Sequence, residues 1–446
     1  MKHHSQHRVA VRDAPAGFLD AWNQLIGPAP GPTLPLRRGR KPRVPLTQLL
    51  PALTFHVMQD RGTLGEHFAQ LFDEPFADSS WADRRARLPW DIFAELMRRT
   101  LRPHATRSTH PDAFWRGRRL LAIDGTQFSL TNTPQVRKTV RKARTRRGRA
   151  AFAKLTTAVL LELGLHNPLA AAIAGEGESE WVLAHRLLPQ VPAGALLLAD
   201  RLYGCAAFAL EAQAACARVG SEFLFRARTL IKGRVVRRLG DGSRILAVPL
   251  SGEQRRAHGQ RDLTVREIRV RVGRRGYRST EIRLWTSLLD PKQAPALELA
   301  QLYARRWEHE LYYRDVKRQL RRTDLLQSHT VNTGAQEIAA IVLASALLAV
   351  ERTRVANGQM PVLRVSFSKM LEVVKAMWLT LLLGDGVLSD RQTKRILKRG
   401  YTRMQRLVTP ARRSRSCPRA VRQPVTGWPR LMKNESIEAP MEFTLV

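Results

Sequence analysis

From Phe18 to about Pro103 apolar residues recur at helical spacing and prolines punctuate the pattern. Leu46–Gln59, with Leu49, Leu50, Leu53 and Val57 on one side, and Trp90–Leu101 read as amphipathic helices. After about Trp115 the pattern changes to short continuous apolar runs separated by helical stretches, the signature of an α/β layer. Leu120–Ile123, Leu155–Leu163, Ala195–Ala199 and Phe223–Phe225 are such runs. Between Arg226 and Trp285 the residues turn β-like. Arg234–Arg238 and Ile245–Leu250 flank an Asp241-Gly242 turn signal, and Val265–Val272 and Ile282–Trp285 surround Gly273 and Gly276. A helical segment from Leu297 to Leu320 follows, then the apolar run Ile338–Val350, bracketed by Glu337 and Glu351, and a further helix from Phe367 to about Leu383. From Arg391 the chain reads as a basic, loop-prone tail with Arg412, Arg413, Arg415, Arg419 and Arg422.

The pattern therefore predicts five parts: a helical N-terminal domain over 1–114, an α/β core over 115–225, a β-rich insertion over 226–289, the second, helical part of the core over 290–390, and a basic C-terminal region over 391–446. Apolar residues make up 44% of the 446 and charged residues 25%, so the chain has the composition of a folding protein rather than a disordered or fibrous one. Ile338–Val350 falls short of the ~18 residues of a membrane span and reads as a buried helix. Neither that run nor the His- and Arg-rich start Met1–Arg12, whose His3, His4 and His7 read as solvated, predicts a membrane or secretory segment.

Charge changes the picture most. Lys and Arg total 75 against 38 Asp and Glu, a formal net charge of +37, and a surplus that large calls for a polyanionic partner. Nucleic acid is the expected one. Basic residues concentrate at Arg37, Arg38, Arg40, Lys41 and Arg43 in the N-terminal domain, and at Arg137, Lys138, Arg141, Lys142, Arg144, Arg146, Arg147 and Arg149 after the first core strand. Either run can meet phosphates or simply be solvated. Cys205, Cys216 and Cys417 are too few and scattered for a disulfide framework or a Cys-rich zinc site, which suits a reducing cytoplasm where the chain would be associated with the nucleoid.

Two apolar runs end alike, in Asp124 and in Asp200. A run of that kind suits a strand buried on both faces, and a carboxylate at its C-terminal end sits where open α/β sheets bind ligands. An Asp after a strand is also a common turn or helix-capping residue. If the two strands are neighbours, the carboxylates converge, and a hard divalent cation is the usual compensation. On the helical segment, Tyr303, Arg306, Glu310 and Lys317 stand at offsets 0, 3, 7 and 14, which at about 100° per residue fall within one stripe roughly 60° wide. One helix face would then carry a carboxylate between cations that can grip phosphate oxygens.

At this point the chain resembles the Asp-Asp-Glu transposases of bacterial insertion sequences, specifically the fourth insertion-sequence family. The family signature, Tyr, two residues, Arg, three residues, Glu, six residues, Lys, is met without a gap by Tyr303, Arg306, Glu310 and Lys317. Ile123-Asp124-Gly125-Thr126 and Asp200-Arg201-Leu202-Tyr203 resemble the contexts of the first two acids, and Leu284–Leu289 resembles the strand that closes the insertion. The resemblance spans Ala113–Leu325 closely. The tail departs from it, with Ser416-Cys417-Pro418-Arg419 where an aromatic is expected before Pro-Arg.

The resemblance implies an RNase H-like core whose triad Asp124, Asp200 and Glu310 is catalytic and holds two divalent ions, Mg²⁺ or Mn²⁺, some 3.5–4 Å apart. It implies that Arg306 and Lys317 hold DNA phosphate, that Tyr303 seats a displaced nucleotide, and that Trp285 offers a stacking face. The implied activity is cut-and-paste transposition: cleavage at the terminal inverted repeats of the element and strand transfer into target DNA by a homodimer that synapses two ends, with no membrane involved. The competing readings are a metal-dependent nuclease without joining and a non-catalytic basic DNA-binding protein. His309-Glu310-Leu311-Tyr312-Tyr313 lacks the second His of a zinc-protease helix, and Gly175–Glu180 puts Glu where the third glycine of a dinucleotide loop belongs. Glu178 and Glu180 remain as spare carboxylates, rival metal ligands if either lies near the triad.

Overall fold

The computed structural model describes residues 13–27, 44–140, 142, 144–145, 148–174, 178–273, 279–409 and 442–445. Outside them lie His3, His4, His7, Arg37, Arg38, Arg40, Lys41, Arg43, Arg141, Arg146, Arg147, Gly175, Glu176, Gly177, Gly276 and the tail arginines with Cys417. The main helices are α1 (Phe18–Ile26), α2 (Leu46–Met58), α3 (Leu64–Phe72), α4 (Asp78–Ala86), α5 (Asp91–Thr100), α6 (Glu180–Leu187), α7 (Ala206–Ala217), α8 (Ala296–Tyr303), α9 (Trp307–Arg314), α10 (Val331–Ala356), α11 (Phe367–Leu383) and α12 (Asp390–Gln405). The main strands are β1 (Arg118–Ser129), β2 (Lys154–Glu162), β3 (Asn167–Ile173), β4 (Ala195–Gly204), β5 (Glu222–Ala227), β6 (Arg234–Arg238), β7 (Arg244–Pro249), β8 (Asp262–Gly273), β9 (Thr280–Thr286) and β10 (Glu442–Leu445). The fold is mixed α/β with a large sheet. The chain divides into two compact units that interleave along the sequence, one comprising 1–114, 124–187 and 308–408, the other 115–123, 188–307 and 409–446.

In the second unit the strand order is β1-β4-β5-β9-β8-β7-β6, with β10 also pairing with β8. The apolar runs explain its centre. Leu120–Ile123 and Ala195–Ala199 are wholly buried, and β1, β4 and β5 run parallel, as strands covered on both faces do. Helix α7 makes the crossover from β4 to β5. From β9 to β6 the pairing is antiparallel, so the β-like stretch forms the expected β-rich arm of the sheet. Its interior is charged: Glu267 on β8 is fully buried and paired with Arg244, Arg269 and Arg283, while buried Arg266 pairs with Asp241 at the predicted turn.

In the first unit α2 and α5 pack on α10, whose 26 residues are buried over most of their length. By length and composition α10 could cross a membrane, but 94% of its apolar window is buried inside the protein. The bracketing acids are also satisfied there. Glu337 pairs with Arg321 at 2.6 Å, and Glu351 accepts from Tyr401 at 2.5 Å and pairs with Arg354.

Three local readings change. The segment Leu297–Leu320 is not one helix: Ala304–Arg306 is a 3₁₀ turn and Asp315–Leu320 a π turn between and after α8 and α9. The winding therefore departs from 100° per residue at both places. The chain after Arg391 begins as helix, not loop, because Ser389 and Gln392 form a capping box and Leu397, Tyr401 and Met404 bury one face of α12. Strand β3, antiparallel to β2, was not in the sequence reading.

Candidate functional site

The parallel pairing of β1 with β4 runs from Arg119↔Ala195 to Ile123↔Ala199 and stops there. The next residue on each strand is a candidate carboxylate, Asp124 and Asp200. Both Asp residues lie within their strands rather than at the ends, at the point where full burial gives way to partial exposure.

In the second unit Asp200 opens an irregular stretch. The register between β4 and β5 shifts between Ala199 and Gly204, and a β-carbon on Gly204 would stand 1.9 Å from the Arg226 carbonyl oxygen, so glycine closes the bulge. Asp200 Oδ1 accepts from the Leu202 amide at 2.6 Å, which bends the chain around the carboxylate. Arg228 donates to the Arg201 and Leu202 carbonyls from outside. The Tyr303 hydroxyl donates to the Ala199 carbonyl at 3.2 Å, tying the end of α8 to the residue before Asp200. Arg306, in the 3₁₀ turn, is half-buried.

In the first unit the second half of β1 is tied along its length to the segment that starts at α9. The Tyr313 hydroxyl donates to the Asp124 carbonyl at 2.8 Å, Lys317 Nζ to the Gln127 carbonyl at 2.6 Å, and Ser129 exchanges backbone bonds with Asp324 and Leu326. Asp124 Oδ1 accepts from the Gly125 amide at 3.0 Å. Glu310, half-buried, stands one turn before Tyr313 on the same face of α9. Lys317 also lies 4.8 Å above the Phe128 ring. Its pKa is lowered, chiefly by burial, with Asp324 opposing and Lys154 and Arg318 assisting.

Two expected DNA contacts are corrected. Trp285 is fully buried on β9, its indole nitrogen 3.4 Å from Glu267, so no face is available for stacking. Tyr303 is 8% exposed with its hydroxyl committed to Ala199, which makes it a strut between helix and strand rather than a platform for a base. The sequence reading missed Tyr313; its only signal was its place beside Glu310 in a segment set aside as a decoy. His309, in the same segment, is buried with Nε2 2.9 Å from the Val159 carbonyl oxygen.

Among the described residues no three His, Cys, Asp or Glu side chains already stand close enough to hold one ion. In donor type the candidates fit a hard divalent cation: all three are half-buried carboxylates, and Asp124 and Asp200 follow the last paired residues of their strands.

Comparison with known proteins bears on the whole arrangement. Residues 115–347 match the family described as Transposase DDE domain. The transposase InsG of insertion sequence element IS4 from Escherichia coli is 27% identical over 397 residues, covering 86% of each chain. A cryo-EM structure of piggyBac transposase in a synaptic complex with hairpin DNA matches at TM-score 0.44 and 9% identity, over 83% of this chain and 79% of that one.

Proposed function

The chain belongs to the transposase DDE-domain family, and from that membership we propose that it cuts DNA at the ends of an insertion sequence and joins the freed 3′ ends to a target, a cut-and-paste reaction. It is a DNA transposase, an enzyme, and its family implies dependence on a divalent metal. The finer reading takes Asp124, Asp200 and Glu310 as the catalytic carboxylates of an RNase H-like core that hold two Mg²⁺ or Mn²⁺ ions.

The observation that carries this reading is the place where the β1–β4 pairing stops, immediately before both Asp residues, together with one tyrosine tie in each unit. Tyr303 fixes the peptide before Asp200, and Tyr313 fixes the peptide of Asp124 from the helix that bears Glu310. Bound divalent cations supply Lewis-acid activation of the attacking oxygen and stabilisation of the leaving oxygen in line. The residues of the chain supply position. Both Asp side chains are held by a neighbouring peptide N–H, which limits the rearrangement needed to present an oxygen inward. Lys317 uses one of its three donors on Gln127, leaving two for a phosphate oxygen, and Arg306 contributes a second cation on the DNA backbone. A homodimer acts, one copy at each element end, with terminal inverted repeats and target DNA as its duplex partners.

The test uses DNA from the flanks of the coding sequence carrying the inverted repeats, labelled at the 5′ end of the strand whose new 3′ end is to be joined, incubated with the full chain, Mg²⁺ and an unlabelled plasmid. Transfer of the label into the plasmid is the expected result. Cleavage with no transfer under conditions that support cleavage would identify a nuclease and contradict the proposal.

A further inference from the structure

The turn between β2 and β3, Leu163–His166, is held in an unusual shape. Gly164 has φ +85° and His166 has φ +56°, so two nearby residues occupy the left-handed region. Gly164 tolerates that region, and a β-carbon on it would also stand 3.1 Å from the Ala113 backbone. His166 keeps such a conformation because its surroundings hold it there. The base of the turn is anchored within the first unit. Fully buried Glu162 accepts from the His104 and Ala105 amides at 3.0 and 3.1 Å and from the Asn167 side chain at 2.9 Å. Asn167 also donates to the Arg102 carbonyl at 2.9 Å.

What this turn grips is α9. Glu308 Oε2 accepts from the buried Gly164 amide at 2.7 Å, a charge-assisted bond to a backbone donor that water does not reach. The Tyr312 ring lies edge-on to the His166 ring with centroids 6.4 Å apart, and Asp315 Oδ2 stands 3.4 Å from His166 Nδ1. Glu308, Tyr312 and Asp315 follow one another at successive turns of one helix face. The grip therefore falls at the start of α9 and just past its end, on either side of Glu310. Tyr313 and Lys317, from the same segment, donate to β1 carbonyls instead. Held against β1 by one set of side chains and against a rigid turn by another, α9 has its rotation about its own axis fixed.

We propose that Glu308 is a positioning residue of the transposase: through the Gly164 amide it sets the rotation of α9 and so the place of the Glu310 carboxylate, without taking part in the chemistry itself. The proposal rests on the reading of Glu310 as catalytic.

The test separates reach from charge. Glu308→Asp keeps the charge but falls a methylene short of the Gly164 amide, whereas Glu308→Gln loses the charge but keeps an accepting oxygen at full length. Single-turnover cleavage of a labelled element end in Mg²⁺ by the full chain should slow by about tenfold or more in Glu308→Asp and stay within about twofold of the parent in Glu308→Gln. Affinity for the duplex end and the melting midpoint should stay close to the parent in both, so that the loss falls on the rate and not on binding. Parental cleavage in Glu308→Asp, or equal or greater slowing in Glu308→Gln, overturns the proposal. So does a slowing accompanied by a lowered midpoint and weakened end binding, since a merely structural contact would give that result. Glu310→Gln is the reference. Its inactivity leaves the catalytic reading standing whatever the Glu308 variants show, and parental cleavage by it overturns both.

Discussion

Replacing Tyr313 by Phe removes one hydroxyl and keeps the ring. The lost contact is the 2.8 Å hydrogen bond to the Asp124 carbonyl, made by a side chain 9% exposed, so water cannot easily replace it. Losing a buried neutral hydrogen bond costs about 0.5–1.5 kcal/mol, toward 3 if the carbonyl stays unsatisfied. Tyr312→Phe is the matched control. Tyr312 is 3% exposed, and its hydroxyl pairs with Ser345 Oγ at 2.9 Å, on α10 rather than on the strand. Both variants should therefore lose about 1 kcal/mol and melt no more than ~2–4 °C lower. Catalysis should separate them. Tyr313 holds the peptide of Asp124 to the helix that bears Glu310, and a shift near 1 Å can cost ~100-fold in rate. Single-turnover cleavage of an element end in Mg²⁺ should slow by about tenfold or more in Tyr313→Phe and by less than about twofold in Tyr312→Phe. Equal rate losses in the two variants, or no loss in Tyr313→Phe, would refute the positioning role.

The buried His56, paired through Nδ1 with His67 at 2.8 Å and through Nε2 with Gln327 at 2.9 Å, has its pKa lowered from 6.5 to about 4, mainly by burial. The unfolded chain then takes the proton first, so the stability is present above about pH 6.5 and is lost as pH falls toward 4, by about 2 kcal/mol near pH 5. Urea melts at neutral and acid pH should show that loss in the parent and less of it in His56→Gln, and the same pH dependence in both would contradict it. Trp285→Ala should cost ~3–5 kcal/mol in a melt, as expected of a filled core position. Weakened DNA binding without destabilisation would restore a stacking role for that ring. Arg306→Ala and Lys317→Ala should slow joining of a pre-nicked end more than first nicking of an intact one, because holding a free 3′ end in line depends most on phosphate grip. Equal losses at the two steps would reduce both residues to general electrostatics.

The parallel centre of the sheet was legible because strands buried on both faces leave continuous apolar runs, as in Leu120–Ile123 and Ala195–Ala199. The β-rich arm was legible from the Asp241-Gly242 turn and the β-like stretches around it. Strand β3 was not, since its Leu-Ala-Ala-Ala centre carries no β-branched signal. The 3₁₀ and π turns around α9 leave no trace in apolar spacing, so the segment reads as one uniform helix, and the DNA role of Tyr303 came from the resemblance alone. Burial decided otherwise for Tyr303 and Trp285, because an aromatic ring beside a functional carboxylate looks the same in sequence whether it stacks on a base or fills the core. Gly125 and Glu180 meet only in the folded chain, where α6 packs on β2 and β3. Their two segments gave no common signal, and each was noted separately, as a flanking glycine and a spare acid.

On the proposed reading Asp124, Asp200 and Glu310 together perform the chemistry of this transposase. The most direct measurement is single-turnover cleavage of a labelled element end in Mg²⁺ by Asp124→Asn, Asp200→Asn and Glu310→Gln, alongside duplex-DNA binding by the same proteins. Cleavage should vanish in all three while binding stays near that of the parent, since on the proposed reading each change removes one metal-holding oxygen donor from a chain whose positive surface it barely alters. Substantial Mg²⁺-dependent cleavage by any of the three would contradict the assignment.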